Sequence, residues 1–507
     1  MLTIKNVLFS KLEQREDHEI VIEKAQLKVT VKQLQERLSL LEQSYAHLDL
    51  TGKIVCLTHA DPVQYMIFDL FLLKVGAVNM TVPLEFSDTQ IAHFFENADY
   101  CIVDNDNVYT RLQKINQSVV FLDNNGKQIN PGQPLRNNGN RDPSWRKIVH
   151  TSGTTSNPKG AIVNEQALAN MLDKLTDGIC AENSLNYFSF QPMSLLIEQI
   201  LALYLPLVSG GKVIFKPDHV PAFGLTYTDS DTYLELIRHA DANFYFLPPR
   251  LIEDLSVQAL HLQEKGIDPK AYFFPQNDTY VLTGGGTVNQ EATEFLDEMG
   301  ICVYEGYGVS ENTSVISLNT RLCRKKGTVG KPLKHTQVEI IDGEIAIRSN
   351  SLFCGYLDGE KVNNPVKNGL FFTGDIGSLD DDGYLRISGR KKNIIILSSA
   401  RNICPEHVES VYRGSELIEQ IVIFGDGKDY LSGIIVPAND KVTKAELDLS
   451  IKALSNELPS FSQLNNYLIP KDRNAFMTEY FTITGRPRRD VIEACIKHNL
   501  INFTTNL

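Results

Sequence analysis

The stretch from His150 to Gly160 reads HTSGTTSNPKG and places hydroxyl-bearing residues and glycines in one loop. It lies between a strand-like KIV run and a helical run that begins near Asn164. Glycines let backbone N–H groups approach an anion closely, Ser and Thr hydroxyls donate further hydrogen bonds, and Lys159 adds a positive charge. The pattern therefore fits a phosphate-binding loop, although a stretch of this composition taken alone is more often a flexible connector. It is not a Walker A loop, because GxxxxGK[ST] is absent.

The bulk composition is that of an ordinary globular protein with an acidic balance. The 507 residues are 42% hydrophobic and 22% charged, enough for a large core and for more than one domain. A net charge of −13 argues against a nucleic-acid partner. The eight cysteines contain no CxxC pair, which favours free thiols in a reducing compartment. With neither a signal peptide nor an apolar run long enough to span a bilayer, we expect a cytoplasmic protein.

Helix-like and strand-like segments alternate along the chain. Thr30 and Gln33 form a predicted capping box at the start of a helix. Short apolar runs that predict strands are KIVCL at 53, VVFL at 119, YVL at 280 and ICV at 301. The run LLIEQILALYLPLV from Leu195 contains Glu198 and Gln199 and predicts a buried helix. This alternation favours an α/β architecture with a largely parallel sheet.

A change of composition near DDDGYLRISGRKKN, residues 380–393, predicts a domain boundary. After it, the strand-like runs IVIFG and SGIIV alternate with helical segments to the end of the chain. We therefore divide the chain into residues 1–390 and 391–507.

Further motifs follow the first one in a fixed order: TGGGT at 283, YEGYGVSEN at 304, FFTGD at 371 and YLRISGRKKN at 384. Together with HTSGTTSNPKG they resemble the adenylate-forming superfamily of acyl-CoA synthetases, luciferases and peptide-synthetase adenylation domains, whose signature is close to TSGTTGxPKG. The resemblance runs from about residue 25 to the C-terminus. It implies an α/β fold with a large multi-sheet N-terminal AMP-binding domain and a small α+β C-terminal domain joined by a hinge.

The resemblance also implies a role for individual residues. Tyr307 stacks on adenine, Asp375 binds the ribose hydroxyls and Arg390 is a second nucleotide contact. Ser310 contacts the α-phosphate, and Glu311 holds Mg²⁺. Alone, Tyr307 would more simply be a core aromatic residue and Glu311 a solvated carboxylate. The other residues of these motifs that the resemblance assigns to nucleotide binding or catalysis are Thr151, Ser152, Gly153, Thr154, Thr155, Lys159, Gly284, Gly285, Gly286 and Gly308.

The segment FTITGRPRRD, residues 481–490, resembles the family's TxxGKxxR loop, whose lysine reaches the active site during adenylation. Thr482, Gly485 and Arg489 fit this pattern, and Arg486 occupies the lysine position. Arginine keeps the positive charge but is planar and bulkier. We interpret the cluster as a catalytic loop in preference to a nucleic-acid patch or a solvated turn. By the same resemblance, Lys392 is the hinge of the C-terminal domain.

The implied reaction is ATP-dependent formation of an acyl-adenylate from a carboxylic acid, followed by transfer to the thiol of CoA or of a phosphopantetheine on an acyl carrier protein. Peptide-synthetase domains carry an aspartate near SFD that holds the amino group, and here Gln191 follows SF. An amino acid is therefore disfavoured, and a fatty or aryl acid is preferred. The apolar residues around Gln191 fit such an acid, but each fits a role in the core equally well.

A second hypothesis is that the protein has the same fold but adenylates its substrate only weakly. Three departures from the family pattern, Leu195 for a histidine, Ala400 for a glycine and Arg486 for a lysine, fit a degenerate relative. Such a protein would act as a thioester-forming half-enzyme or as a module that binds nucleotide or acyl-adenylate. Ser156, where the family usually has glycine, is a milder change. An acidic carrier protein would need a basic surface, for which the candidates are Lys391, Lys392, Arg401, Arg486, Arg488 and Arg489.

Overall fold

The computed structural model describes residues 2–132, 141–151, 159–179, 185–225, 229–276, 278–286, 288–357, 366–399, 401–482, 485–498 and 500–503. The α-helices within these ranges are α1 (Ser10–Glu13), α2 (Val31–Ser44), α3 (Pro62–Lys74), α4 (Asp88–Phe95), α5 (Asp106–Ile115), α6 (Glu165–Ile179), α7 (Leu196–Glu198), α8 (Leu205–Ser209), α9 (Ser230–His239), α10 (Pro249–Glu264), α11 (Pro269–Phe273), α12 (Gln290–Glu298), α13 (Pro405–Tyr412), α14 (Lys444–Ser455), α15 (Arg473–Tyr480) and α16 (Arg489–Lys497).

The strands form several separate sheets. They are β1 (Ile20–Lys24), β2 (Leu27–Thr30), β3 (Ile54–Leu57), β4 (Val78–Thr81), β5 (Tyr100–Ile102), β6 (Val120–Leu122), β7 (Trp145–Thr151), β8 (Lys159–Asn164), β9 (Tyr187–Ser189), β10 (Val213–Phe215), β11 (Phe244–Phe246), β12 (Tyr280–Gly284), β13 (Val303–Tyr307), β14 (Ser317–Leu318), β15 (Lys331–Pro332), β16 (Thr336–Ile341), β17 (Glu344–Ser349), β18 (Val366–Lys367), β19 (Leu370–Leu379), β20 (Leu385–Arg390), β21 (Ile395–Ile396), β22 (Asn402–Ile403), β23 (Ile418–Phe424), β24 (Leu431–Pro437) and β25 (Leu464–Leu468).

Two large sheets make up most of the N-terminal part. One has the order β15-β14-β13-β12-β11-β9-β10-β1-β2, and the other has the order β6-β5-β3-β4-β7-β8. Strands β9 to β13 pair in parallel in the first sheet, and β3 to β7 pair in parallel in the second. One continuous apolar core joins residues of both sheets with α2, α3 and α6. This arrangement confirms the predicted alternation of helices with a largely parallel sheet.

A buried ion pair links helix α3 to the sheet that contains β7. Lys147 on β7 and Asp69 on α3 lie 2.5 Å apart, and both side chains are at most 1% exposed. The chain after α7 forms a π-helical segment, Gln199–Tyr204. It brings the Tyr204 hydroxyl to Asp69 and the Gln199 amide oxygen to Lys147 at 2.7 Å. Buried charges are tolerated when both are paired and hydrogen-bonded in this way.

The later strands form smaller sheets. Strands β16 to β20 make an antiparallel sheet, with β20 paired to β19. Strands β23, β24 and β25 make a mixed sheet, in which β23 and β24 are antiparallel and β24 and β25 are parallel. The first domain proposed from the sequence ends with β20 at Arg390, and a 3-10 turn at Lys391–Asn393 leads into the C-terminal elements. The C-terminal core lies between α13, α14 and the sheet that contains β23.

Several local predictions are confirmed. Thr30 and Gln33 form a reciprocal capping box at the start of α2. The run from Leu195 is buried, but it is divided into α7, the π-helical segment and α8, which the sequence did not predict. The run at 301 enters its strand only at Val303. None of the helices within the described ranges is long and apolar enough to cross a membrane.

Candidate active site

The carboxyl ends of β12 and β13 form one wall of the candidate site. Gly284 pairs with Gly306 across these strands, and a Cβ atom on Gly284 would lie 2.6 Å from the Gly306 carbonyl oxygen. Gly285 has a φ of +82°, a conformation that glycine adopts without steric cost. The turn at 284–286 therefore depends on its glycines for both close packing and backbone geometry.

The segment after β13 turns sharply. A Cβ atom on Gly308 would lie 1.6 Å from the Ser314 carbonyl oxygen, so no side chain fits there. Ser310 and Glu311 begin a 3-10 turn that ends with Thr313 at a φ of +49°. The Thr313 hydroxyl donates to the Ser351 carbonyl at 2.7 Å and holds the turn against the body. The loop geometry thus presents Ser310 and Glu311 at the end of the sheet.

Asp375 on β19 lies at the centre of a hydrogen-bonded group. The Tyr307 hydroxyl donates to its Oδ2 at 2.5 Å, and Arg390 Nε lies 2.9 Å from its Oδ1. The residue is 5% exposed. Burial raises the pKa of the Asp375 carboxyl, while Arg390, Tyr307 and Arg486 act in the opposite direction. Burial and the negative charge of Asp375 raise the pKa of the Tyr307 hydroxyl, which therefore keeps its proton and acts as the donor.

The sequence assigned Tyr307, Asp375 and Arg390 to the nucleotide, and the structure brings all three together. Their mutual contacts were not predicted, since Tyr307 and Asp375 are 68 residues apart and meet only through the topology. Register pairing between β19 and β20 places Arg390 directly opposite Asp375. A carboxylate has roughly four acceptor positions, so Asp375 keeps acceptor capacity for two further hydroxyl groups.

The loop before α16 reaches this group from the C-terminal part. Arg486 Nε donates to the Gly285 carbonyl at 2.7 Å, and Nη2 donates to the same oxygen. The Arg486 backbone N–H donates to Thr482 Oγ1 at 3.0 Å, and Gly485 takes a φ of +75°. The residue as a whole is exposed, while its guanidinium is held against the Gly285 carbonyl. Loss of water and the nearby Arg390 lower the pKa of Arg486, which still remains a cation at neutral pH.

Ion pairs join the C-terminal elements to α10 of the N-terminal part. Arg250 Nη2 lies 3.1 Å from Glu419 Oε1, and Arg413 Nη1 lies 3.9 Å from Glu253 Oε1. Arg473 Nε lies 3.6 Å from the second oxygen of Glu419. Burial raises the pKa of the Glu419 carboxyl, and the two arginines oppose that rise. These pairs hold the two parts in the arrangement in which Arg486 contacts Gly285.

Lys159 and Glu311 meet at a residue that the sequence reasoning missed. The Tyr356 hydroxyl donates to Glu311 Oε1 at 2.7 Å, and Lys159 Nζ lies 5.4 Å from the centre of the Tyr356 ring. No motif identified in the sequence includes Tyr356. Its position follows from backbone pairing of residues 354–357 with β8, which local sequence does not reveal.

The other predicted residues have diverse positions. Thr151 ends β7, where its backbone pairs with Lys159, and its side chain lies outside the described residues. Ser152, Gly153, Thr154, Thr155, Ser156 and Ala400 also lie outside the described residues. Lys392 is exposed within the turn at Lys391–Asn393. The Gly286 backbone lies against Pro249.

Several of the basic residues proposed for a carrier-binding surface are engaged elsewhere. Arg489 Nη2 contacts both carboxylate oxygens of Glu409 at 2.5 Å, and its side chain is 11% exposed. Lys391 pairs with Glu344 at 2.8 Å, and Arg401 lies over the Phe461 ring. Arg488 is exposed. Arg489 thus supports the C-terminal part and does not contribute to a free basic surface.

The buried polar side chains around Gln191 are hydrogen-bonded within the protein. The Gln191 amide donates to the Phe246 carbonyl at 2.9 Å, which joins β9 to β11. Glu198 is fully buried and accepts hydrogen bonds from Tyr187 and Ser189, both at 2.6 Å. Burial raises the pKa of Glu198 to about 7, and these hydrogen bonds oppose the rise.

Within the described ranges, the site offers few protein ligands for a metal ion. Among the described residues, no group of three or more His, Cys, Asp and Glu side chains is placed to hold a cation. Glu311 contributes one carboxylate at the end of the sheet. Mg²⁺ is commonly bound through one or two protein carboxylates together with phosphate oxygens and water. Glu311 therefore fits an Mg²⁺ ion that is held mainly by a nucleotide.

Known proteins resemble the chain over most of its length. A structure of an anthranilate CoA ligase in complex with anthranoyl-AMP superposes with a TM-score of 0.80 at 14% identity, covering 98% of each chain. This likeness confirms the predicted fold, with a large multi-sheet N-terminal domain and a small C-terminal domain.

Two curated relatives have informative names. A long-chain-fatty-acid–CoA ligase of Mycobacterium bovis is 36% identical over 156 residues, which are 30% of this chain and 26% of that ligase's own length. A chloroplastic long-chain-fatty-acid–[acyl-carrier-protein] ligase of Arabidopsis thaliana is 22% identical over 94% of this chain and 82% of its own length.

Two family models match the chain. A model for the C-terminal domain of AMP-binding enzymes matches residues 392–478, which end before Arg486. The model for AMP-binding enzymes matches residues 8–357. Because that match covers more than half of the sequence, the chain belongs to the AMP-binding enzyme family.

Proposed function

We propose that the chain is an ATP-dependent acid–thiol ligase, which forms an acyl-adenylate with release of pyrophosphate and then transfers the acyl group to a thiol. The observation that carries this proposal is the position of Arg486. A cation from the C-terminal loop reaches the Gly285 turn and acts electrostatically on Asp375 and Tyr307. Such a convergence fits a reaction in which negative charge must be stabilised beside a bound nucleotide.

The proposed binding roles follow the geometry. The Asp375 carboxylate accepts the ribose hydroxyls while Arg390 and Tyr307 keep it ionised and oriented. Glu311 would hold Mg²⁺, and the bound ion would supply positive charge for the pyrophosphate group. The remaining residues assigned to the nucleotide are Thr151, Ser152, Gly153, Thr154, Thr155, Lys159, Gly284, Gly285, Gly286, Gly308 and Ser310.

In the adenylation step, an oxygen of the substrate carboxylate bonds to the α-phosphorus of ATP, and the bond from that phosphorus to the pyrophosphate oxygen breaks. Arg486 supplies positive charge where the carboxylate and the phosphate approach each other. The Gly285 carbonyl orients the guanidinium through two of its five donors, which leaves donors for the reacting groups. In the second step a thiolate attacks the acyl carbonyl, and AMP leaves.

We further propose that residues 391–507 move relative to residues 1–390 about Lys392 between the two steps. The exposed turn at Lys391–Asn393 is a short link between β20 and the C-terminal elements. Domain motion of this kind commonly limits turnover.

The proposed substrate is a fatty or aryl acid in preference to an amino acid. Gln191 carries no charge, and its amide is committed to the Phe246 carbonyl, so this position offers no carboxylate for an amino group. The names of the mycobacterial and Arabidopsis relatives support a fatty acid, with CoA and an acyl carrier protein respectively as the thiol. Both acceptors remain open for this chain.

The test is acid-dependent ATP–pyrophosphate exchange over a panel of fatty, aryl and amino acids. We expect exchange with one fatty or aryl class by the native protein, and retained exchange by Arg486→Lys. The matched control is Arg488→Lys, an exposed neighbour in the same loop. Exchange that appears only in Arg486→Lys would instead identify a relative impaired in adenylation, and no exchange in either protein would refute the ligase reaction.

A further inference from the structure

Tyr356 contacts two charged residues of the candidate site through different parts of one side chain. Its hydroxyl donates to Glu311 Oε1 at 2.7 Å, and its ring face carries Lys159 Nζ at 5.4 Å from the centroid. A hydrogen bond to a carboxylate and a cation over an aromatic ring are both stabilising. The hydroxyl group contacts the negative charge of Glu311, and the π-system contacts the positive charge of Lys159.

The backbone fixes Tyr356 from two sides. On one side, the Leu357 N–H donates to the Gly160 carbonyl at 2.8 Å, and the Cys354 N–H donates to the Ile162 carbonyl at 2.8 Å. On the other side, the Phe353 N–H donates to the Glu311 carbonyl at 2.8 Å. The segment therefore connects β8 to the 3-10 turn that carries Glu311. A rigid support of this kind is what a residue that orients another side chain requires.

The Phe353 ring further restricts Tyr356. The two ring centroids lie 4.9 Å apart, with an angle of 71° between the ring planes. Phe353 is itself buried. Because edge-to-face packing of this kind holds the tyrosine ring, the hydroxyl group points to one place. The position of its hydroxyl oxygen is therefore set by packing and not by Glu311 alone.

We propose that Tyr356 is a positioning residue for Glu311 and Lys159, and this proposal rests on the proposed function. The hydroxyl occupies Oε1 of Glu311 and leaves Oε2 to face a divalent cation as a single ligand. The ring holds the Lys159 ammonium at the start of β8. One side chain thus sets the geometry of both the metal ligand and the phosphate ligand.

The test separates the hydroxyl from the ring with two variants. Tyr356→Phe removes only the hydroxyl, and Tyr356→Leu removes the hydroxyl and the ring. Mn²⁺ serves as the probe of the metal site, and its binding to the full chain in the presence of ATP is followed by electron paramagnetic resonance. ATP binding without metal is measured in parallel. The control is Tyr384→Phe, since the Tyr384 ring also carries a lysine, Lys331 Nζ at 4.8 Å from its centroid.

We expect Tyr356→Phe to weaken Mn²⁺ binding roughly tenfold to a hundredfold, as loss of a partner that orients a metal ligand typically does. ATP binding without metal should be unchanged in this variant, because the ring still supports Lys159. Tyr356→Leu should add a loss of about twofold to fivefold in metal-free ATP binding, the size of one exposed cation–π contact. Tyr384→Phe should match the native protein in both measurements.

The Glu311→Gln background supplies a second, independent readout. Tyr356→Phe should have no further effect on Mn²⁺ binding there, because the group that it orients is gone. Native Mn²⁺ affinity in Tyr356→Phe would overturn the proposal, and so would equal losses of metal-dependent and metal-free ATP binding in that variant. A native chain without acid-dependent exchange that still shows the hydroxyl-dependent Mn²⁺ binding would refute the ligase reaction and support this role of Tyr356.

Discussion

The two sides of the candidate site are held in place by different means. Asp375, Tyr307 and Arg390 lie on strands of the N-terminal part, and Asp375 is only 5% exposed. Arg486 is exposed and reaches Gly285 from 201 residues away in the chain. Sheet pairing fixes the first group, whereas docking of the C-terminal part across the Arg250–Glu419 contact delivers the second. Folding of the N-terminal part therefore determines the position of the first group. The domain motion proposed above would remove Arg486 from the site.

The largest expected effect comes from Asp375→Ala. The change removes the acceptor for the ribose hydroxyls and leaves Arg390 and Tyr307 without their shared partner. We expect kcat/KM for ATP in pyrophosphate exchange to fall about a thousandfold, since each hydrogen bond to a charged group contributes about 1.5–3 kcal/mol. Thioester formation from supplied acyl-adenylate should fall as well, because the adenylate needs the same carboxylate.

The control for Asp375→Ala is Asp381→Ala, an exposed carboxylate in the hairpin between β19 and β20. Native rates of both steps in Asp375→Ala would contradict the proposal that Asp375, Tyr307 and Arg390 bind the nucleotide.

Arg486→Ala should separate the two steps. Loss of one oriented donor to developing charge typically lowers the rate about 10²–10³-fold, and we expect this loss in pyrophosphate exchange. Thioester formation from supplied acyl-adenylate should be nearly unchanged, because Arg486 belongs to the side of the site that leaves. The measurement is the ratio of the two rates in Arg486→Ala and in the control Arg488→Ala. A parallel fall in both steps would mean that Arg486 is as permanent a part of the site as Asp375.

Glu198→Gln perturbs the N-terminal part alone. Burial raises the pKa of Glu198 to about 7, above its value of 4.5 in the unfolded chain, so the folded state binds the proton more tightly. The contribution of this group to the free energy of unfolding is therefore greatest below pH 4.5 and decreases as pH rises to about 7. Above pH 7, the difference between the two pKa values of this buried group lowers the free energy of unfolding by about 3 kcal/mol.

The measurement for Glu198 is the midpoint of thermal unfolding as a function of pH. Glu198→Gln should remove this group's share of the decrease between the two pKa values, because an amide does not titrate. The control, Glu264→Gln at an exposed position on α10, should leave the profile unchanged. An identical pH profile in Glu198→Gln would show that folding does not raise the pKa of this carboxyl.

The smallest expected effect comes from Arg250→Ala at the contact between the two parts. Partly exposed ion pairs contribute about 1 kcal/mol or less, so pyrophosphate exchange should fall by about fivefold at most. Added salt should reproduce part of this fall in the native protein and little of it in the variant. Arg238→Ala, which breaks the Glu235 pair within α9, is the control. Equal salt dependence in the native protein and in Arg250→Ala would argue that this contact does not hold Arg486 in place.

The parts of the structure that depend on short-range patterns were predictable. The capping box at Thr30 came from local sequence, and the assignment of Asp375 and Arg390 to one site came from the resemblance to a known family. Contacts that depend on topology were not predictable from the sequence. Tyr356 reaches Glu311 because its segment pairs with β8, and Arg489 binds Glu409 inside the C-terminal part although the motif placed it in the catalytic loop. Local sequence does not specify which distant strand or helix a side chain will meet.

The π-helical segment at Gln199–Tyr204 affects how the sequences of relatives align with this chain. A turn closed by i to i+5 hydrogen bonds holds one more residue than an α-helical turn, so the segment is equivalent to a single inserted codon. Removing that residue would close an ordinary α-helical turn in its place and would change the backbone path that brings Tyr204 to Asp69. A one-residue gap at this point in an alignment would therefore mark relatives that have lost the Tyr204–Asp69 contact and must supply another donor to Asp69 Oδ2.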